Sequence, residues 1–108
     1  MATADNIENR LVKESKLREG ITPNYTGLGL ANIMPTISHA LGVELKGQHT
    51  LSRDVLDYDI LKGVDKVVFL MIDGLGYYQL LKEMKGKSAF KELSKELMPL
   101  TSVLPSTT

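Results

Sequence analysis

The sequence predicts an α/β fold built on a parallel-sheet βαβ unit, within one domain covering residues 1–108. Three observations carry that expectation. Residues 66–72, KVVFLMI, form an uninterrupted, largely β-branched and aromatic run, the pattern of a strand covered on both faces. Beyond it Leu80, Leu81, Met84, Phe90, Leu93 and Leu97 recur at helical spacing, broken by Gly86. A second apolar run follows at 100–104, bounded by Pro99 and Pro105. Strand, helix and strand joined by connections this long give parallel pairing with a right-handed crossover.

The elements before this unit follow from local chemistry. Asp5 with Glu8 three residues later reads as a variant capping box, and Ile7, Leu11 and Val12 supply a narrow apolar stripe on a first helix that Gly20 and Pro23 end. Leu30, Ile33, Met34, Ile37, Ala40 and Leu41 mark a second helix, with Gly42 as its C-terminal stop. Pro35 fits that helix if Asn32 is the N-cap, because the ring then sits in the first turn; an earlier start requires a kink there. Residues 43–65 read as loop, with a short strand at 43–45. Two strands make an unusually small sheet, and the second finishes at the last residues of the sequence, so the domain is expected to be incomplete.

Composition sets the outer limits. With 43% hydrophobic and 24% charged residues, the 108-residue chain belongs with ordinary globular proteins rather than disordered or collagen-like ones. Thirteen Lys and Arg balance thirteen Asp and Glu, which removes the electrostatic case for nucleic acid or an anionic membrane as the main partner. The absence of cysteine excludes disulfides, thiolate metal sites and cysteine nucleophiles. The first twenty residues are polar and lack the apolar stretch of a secretory signal, and the longest apolar run is far short of the roughly 20 residues that span a bilayer, so a cytoplasmic location is expected.

In open parallel sheets, ligands bind beyond the C-terminal strand ends, where loops converge. The first predicted strand ends at Asp73-Gly74, a carboxylate able to hold a cation beside a glycine that permits close approach. The second leads to Ser106, Thr107 and Thr108, hydroxyls placed where the next helix would begin. Each motif alone has an ordinary structural explanation: Asp-Gly is a common turn, and Ser-Thr-Thr after proline is common N-cap chemistry. Their occurrence at equivalent ends of two adjacent strands is what points to a site.

The string VVFLMIDGLGYYQL, followed about thirty residues later by LTSVLPSTT, resembles the alkaline phosphatase superfamily, in particular its type I phosphodiesterase and nucleotide pyrophosphatase branch. The upstream PNYTGLGLANIMPTISHALG is similar to the leader segment of its prokaryotic members, so the resemblance covers most of the chain from Pro23 onward. It implies the N-terminal portion of a three-layer αβα fold and a hydrolase of phosphodiester or pyrophosphate bonds, acting on a phosphate-ester small molecule such as a nucleotide. It further implies two divalent metal ions, commonly zinc, with Asp73 as a metal ligand. Counted from the family's proline, the nucleophile, which also touches the metal, falls on Thr108, with Thr107 one register away.

The sequence also departs from that pattern. The family's remaining Asp and His ligands lie well beyond the nucleophile, so the remainder of the same polypeptide would be required. His39 and His49 match no family ligand and are expected to serve packing or the surface. Gly74-Leu75-Gly76 is not a dinucleotide fingerprint, since Gln79 stands where the third glycine belongs. Leu75 stands where an aspartyl-nucleophile phosphatase needs its second aspartate. The rival expectation is a small non-catalytic α/β domain that binds a partner or completes another chain's sheet.

Overall fold

The computed structural model describes residues 2–15, 20–85, 92 and 95–103. It contains three α-helices, α1 (Ala4–Lys13), α2 (Ile33–Ala40) and α3 (Tyr77–Met84), with 3-10 turns at Leu30–Asn32 and Tyr58–Leu61. Among the described residues there is no sheet; a single isolated parallel bridge joins Gly29 to Thr101. The predicted parallel-sheet βαβ unit, and with it the start of a three-layer αβα fold, is therefore corrected to a mainly helical arrangement tied by long loops.

The reason lies in where the backbone groups find partners. Segment 66–72 has no regular secondary structure, none of its amides or carbonyls pairs with another strand, and Val68 and Leu70 are 95% and 79% exposed. Its expected neighbour is engaged elsewhere: Thr101 donates its amide to the Leu28 carbonyl and accepts from the Leu30 amide, both at 2.9 Å. α3, which should have covered the sheet, instead meets α1, where the Tyr78 hydroxyl donates to Glu8 at 2.9 Å. A strand buried on both faces needs lateral partners and two covering layers. Here the described residues supply neither, so the run stays open despite its composition.

The helices follow local chemistry more closely. α1 is capped by Thr3, whose hydroxyl accepts the Asn6 amide at 3.2 Å, so the cap lies two residues before the expected Asp5. Ile7 and Leu11 are buried as the stripe requires, while Val12 is exposed. α2 begins after Asn32 as its N-cap with Pro35 in the first turn, where the missing N–H is harmless. Gly42, at φ +86°, accommodates the left-handed turn that ends it, donating to the His39 carbonyl at 3.0 Å. The inward face of α2 is nevertheless Pro35 and Thr36, whereas Leu30, Met34 and Leu41 of the expected apolar stripe are exposed. α3 starts at Gly76, whose amide is received by the Gln79 side chain at 3.0 Å. The expected strand at 43–45 is loop, with the Val43 amide donating back to the Ser38 carbonyl at 2.8 Å, and the second short helix expected before Leu97 falls largely outside the described residues.

The core is small: Ile7 and Leu11 of α1 meet Leu28 and Val55, with Leu51, Leu56, Met98 and Leu100 packed around them. Each fully buried aliphatic side chain contributes roughly 1.5–3 kcal/mol. The core therefore gathers three distant stretches, the N-terminal helix, the 24–32 loop and the 51–56 turn, against 98–101. No helix among the described residues is long and apolar enough to cross a membrane.

Candidate functional site

Asp73 lies at the turn that follows the apolar run 66–72. Its Oδ1 accepts the amide of Gly74 at 2.9 Å, and Gly74 adopts φ +74°, a conformation glycine enters without Cβ strain. The carboxylate is exposed and stands apart from other candidate ligands: no group of three or more His, Asp or Glu side chains gathers among the described residues. One carboxylate is a single donor where zinc takes four, so the described residues do not by themselves make a metal site. Thr107 and Thr108, with Ser106, lie outside the described residues.

Both histidines are exposed. His39, in the last turn of α2, is exposed with Nδ1 3.5 Å from a Glu44 carboxylate oxygen, and its ring centroid lies 5.9 Å from that of Tyr58. Tyr58 is held by its hydroxyl, which donates to the Leu51 carbonyl, and the Arg53 guanidinium stacks 4.4 Å above its ring. His49 takes part through its backbone carbonyl, which accepts from Asn32.

The most ordered polar feature is one that periodicity does not announce. Asn32 is 2% exposed, and its amide makes four hydrogen bonds. Oδ1 accepts the amides of Gly27 and Gly29, both at 3.0 Å, while Nδ2 donates to the carbonyls of Tyr25 at 3.0 Å and His49 at 2.9 Å. Asn24 repeats the device on the outside, its Oδ1 accepting from Thr26 and Leu28. The Asn24 amide in turn donates to the Thr101 hydroxyl at 2.8 Å. Thr36 links α2 to the next loop, its hydroxyl donating to the Asn32 carbonyl at 2.6 Å and accepting the Leu51 amide at 2.7 Å. Gly29 is obligatory here, since a Cβ would lie 2.1 Å from the Asn24 carbonyl oxygen. The sequence signal was the cluster of Asn, Thr and Gly over 24–32, residues that bond the backbone locally.

A cavity of about 200 Å³ opens between α1, α3 and the 99–102 segment. Glu8, Tyr77 and Tyr78 stand at it, the two phenol rings edge to face with centroids 5.5 Å apart and planes at 66°. Burial, then the negative charges of Glu8 and Asp5, push the Tyr77 hydroxyl above its ordinary value; Tyr78 is raised first by its hydrogen bond to Glu8.

Comparisons with protein families, with curated proteins and with solved structures returned no match.

Proposed function

We propose that this sequence carries one metal ligand, Asp73, and the nucleophilic Thr108 of a metal-dependent phosphoric ester hydrolase of the phosphodiesterase and nucleotide pyrophosphatase type. Thr107 is the nucleophile if the register differs by one. The observation that carries the reading is the ordered pair of motifs, VVFLMIDGLG and, about thirty residues on, VLPSTT. The threonine oxygen would attack phosphorus in line; the new O–P bond forms as the bond to the leaving alcohol breaks, and water then cleaves the phosphothreonine. Two divalent ions, zinc in this reading, supply charge neutralisation and a lowered hydroxyl pKa when bound. Asp73 would be one donor, its exposed carboxylate being accessible, and the other donors would come from further sequence of the same polypeptide.

The test is zinc-dependent hydrolysis of bis(4-nitrophenyl) phosphate by the polypeptide as its gene encodes it. Asp73→Ala is expected to lower turnover about a hundredfold or more, and a phosphorylated peptide containing Thr108 should be trapped by acid quench. Undiminished turnover in Asp73→Ala removes that residue from the reaction, and phosphate found on neither threonine removes the nucleophile. A second reading, a non-catalytic domain that pairs with another chain, is favoured by the open backbone and exposed apolar side chains of 66–72. An absence of hydrolysis together with formation of a stable complex would support it instead.

A further inference from the structure

We propose that the cavity between α1, α3 and residues 99–102 binds a small alkylammonium cation. Its walls have the two components such a ligand needs. Among the described residues, Glu8 carries the only formal charge lining the cavity, which gives this wall a negative character. The floor, formed by Leu11, Ile21 and Leu100, is apolar and suits N-methyl groups better than a hydrated inorganic ion.

The aromatic pair sharpens the chemistry. Tyr77 and Tyr78 meet at 66° rather than stacking, so the two rings make a corner instead of a flat wall. A cation beside such a corner is attracted by the negative π faces, the interaction that aromatic cages use for quaternary ammonium groups. The Tyr78 hydroxyl donates to Glu8 Oε1 at 2.9 Å, which anchors the carboxylate against the aromatic pair before any ligand arrives. Asp5, one turn before Glu8 on α1, adds to the negative field felt at Tyr77. A primary ammonium would need several acceptors, whereas an alkylated one needs a single carboxylate and apolar surface. The cavity, about 200 Å³, has room for a head group of that size, given that a water's share of the liquid is about 30 Å³.

The experiment titrates the 108-residue chain with tetramethylammonium chloride and with choline chloride, following amide shifts of Glu8, Tyr77 and Tyr78 by NMR. Sodium chloride at equal ionic strength and 3,3-dimethylbutanol, the uncharged isostere of choline, serve as controls. Saturable binding in the millimolar range is expected for both cations. Glu8→Gln and Tyr77→Leu should each weaken it about tenfold, and Tyr77→Phe, which keeps the ring, should leave it within about twofold. Three results would overturn the proposal: shifts that sodium chloride reproduces, equal binding of the uncharged isostere, or full binding by Tyr77→Leu. The first would mean ionic screening only and the second an apolar cavity without cation recognition. The Tyr77→Phe variant guards against reading a packing defect as loss of recognition.

Discussion

Asn32→Ala removes four hydrogen bonds at once, and the structure fixes the size of the effect. The carbonyls of Tyr25 and His49 belong to exposed residues and can turn to water, so their loss weighs little. The amides of Gly27 and Gly29 are in buried residues and have Asn32 Oδ1 as their acceptor. Leaving a buried donor unsatisfied costs about 1–3 kcal/mol, so the pair gives about 2–6 kcal/mol before water entering the vacated space offsets part of it. We expect about 2–4 kcal/mol, well above the ~1 kcal/mol of an average substitution and a large share of the roughly 5–15 kcal/mol that holds a domain together. Asn32→Asp gives a sharper version. It keeps the acceptor for both glycine amides but turns a carboxylate oxygen toward two carbonyl oxygens. Burial raises the folded pKa of that carboxyl above its unfolded value of about 3.9. The variant should therefore be most stable below that value and lose stability as pH rises through the folded pKa. Urea unfolding followed by circular dichroism measures both variants, and hydrogen exchange at the Gly27 and Gly29 amides reports the local bonds directly. A loss below about 1 kcal/mol for Asn32→Ala with both glycine amides still protected would refute the reasoning, as would an Asn32→Asp chain equal to wild type at neutral pH.

Two further outcomes follow from exposure and from charge. Leu70→Lys, at a side chain 79% exposed in the unpaired run, should change stability by no more than about 0.5 kcal/mol; a loss of several kcal/mol would show the run to be covered. In alkaline titration followed by phenolate absorbance, Tyr77 and Tyr78 should ionise above the ordinary 10.0, and Glu8→Gln should lower Tyr78 more than Tyr77, whose shift arises first from burial. Because both folded values are raised, their stabilising effect is present below pH 10 and lost as pH climbs through them; identical titration curves for wild type and Glu8→Gln would exclude the contact.

What the sequence makes legible is local. The buried pair Ile7 and Leu11, the helix starting after Asn32, the first-turn Pro35 and the stop at Gly42 all depend on residues within one or two turns of each other. The misreading of 66–72 has a different origin. A continuous apolar run states what a segment would prefer to bury, not whether lateral partners exist, and Thr101 of the second run is bonded to the 28–30 loop instead. Asn32 shows the reverse failure: its position as N-cap was readable, but its side chain bonds to four backbone groups outside the helix, two of them seventeen and seven residues away. Asp73 was legible as a turn residue; the surroundings that would make it a ligand are long-range, and no spacing rule supplies them. The cavity beside Tyr77 and Tyr78 was not legible because it depends on α1 lying beside α3, which periodicity does not encode.

The bridge between Gly29 and Thr101 also sets a clock. Its two ends are about 70 residues apart, so closing it costs about 4 kcal/mol of chain entropy, and long-range closures of this kind form late in folding. On a ribosome adding roughly 5–20 residues per second, about 4–14 s separate the synthesis of Gly29 from that of Thr101. Throughout that interval the 24–32 loop lacks its anchor on Thr101, and the open run 66–72 emerges with nothing yet behind it. The nascent chain thus passes through a timed window in which its most adhesive segment precedes the residue that ties the loop in place.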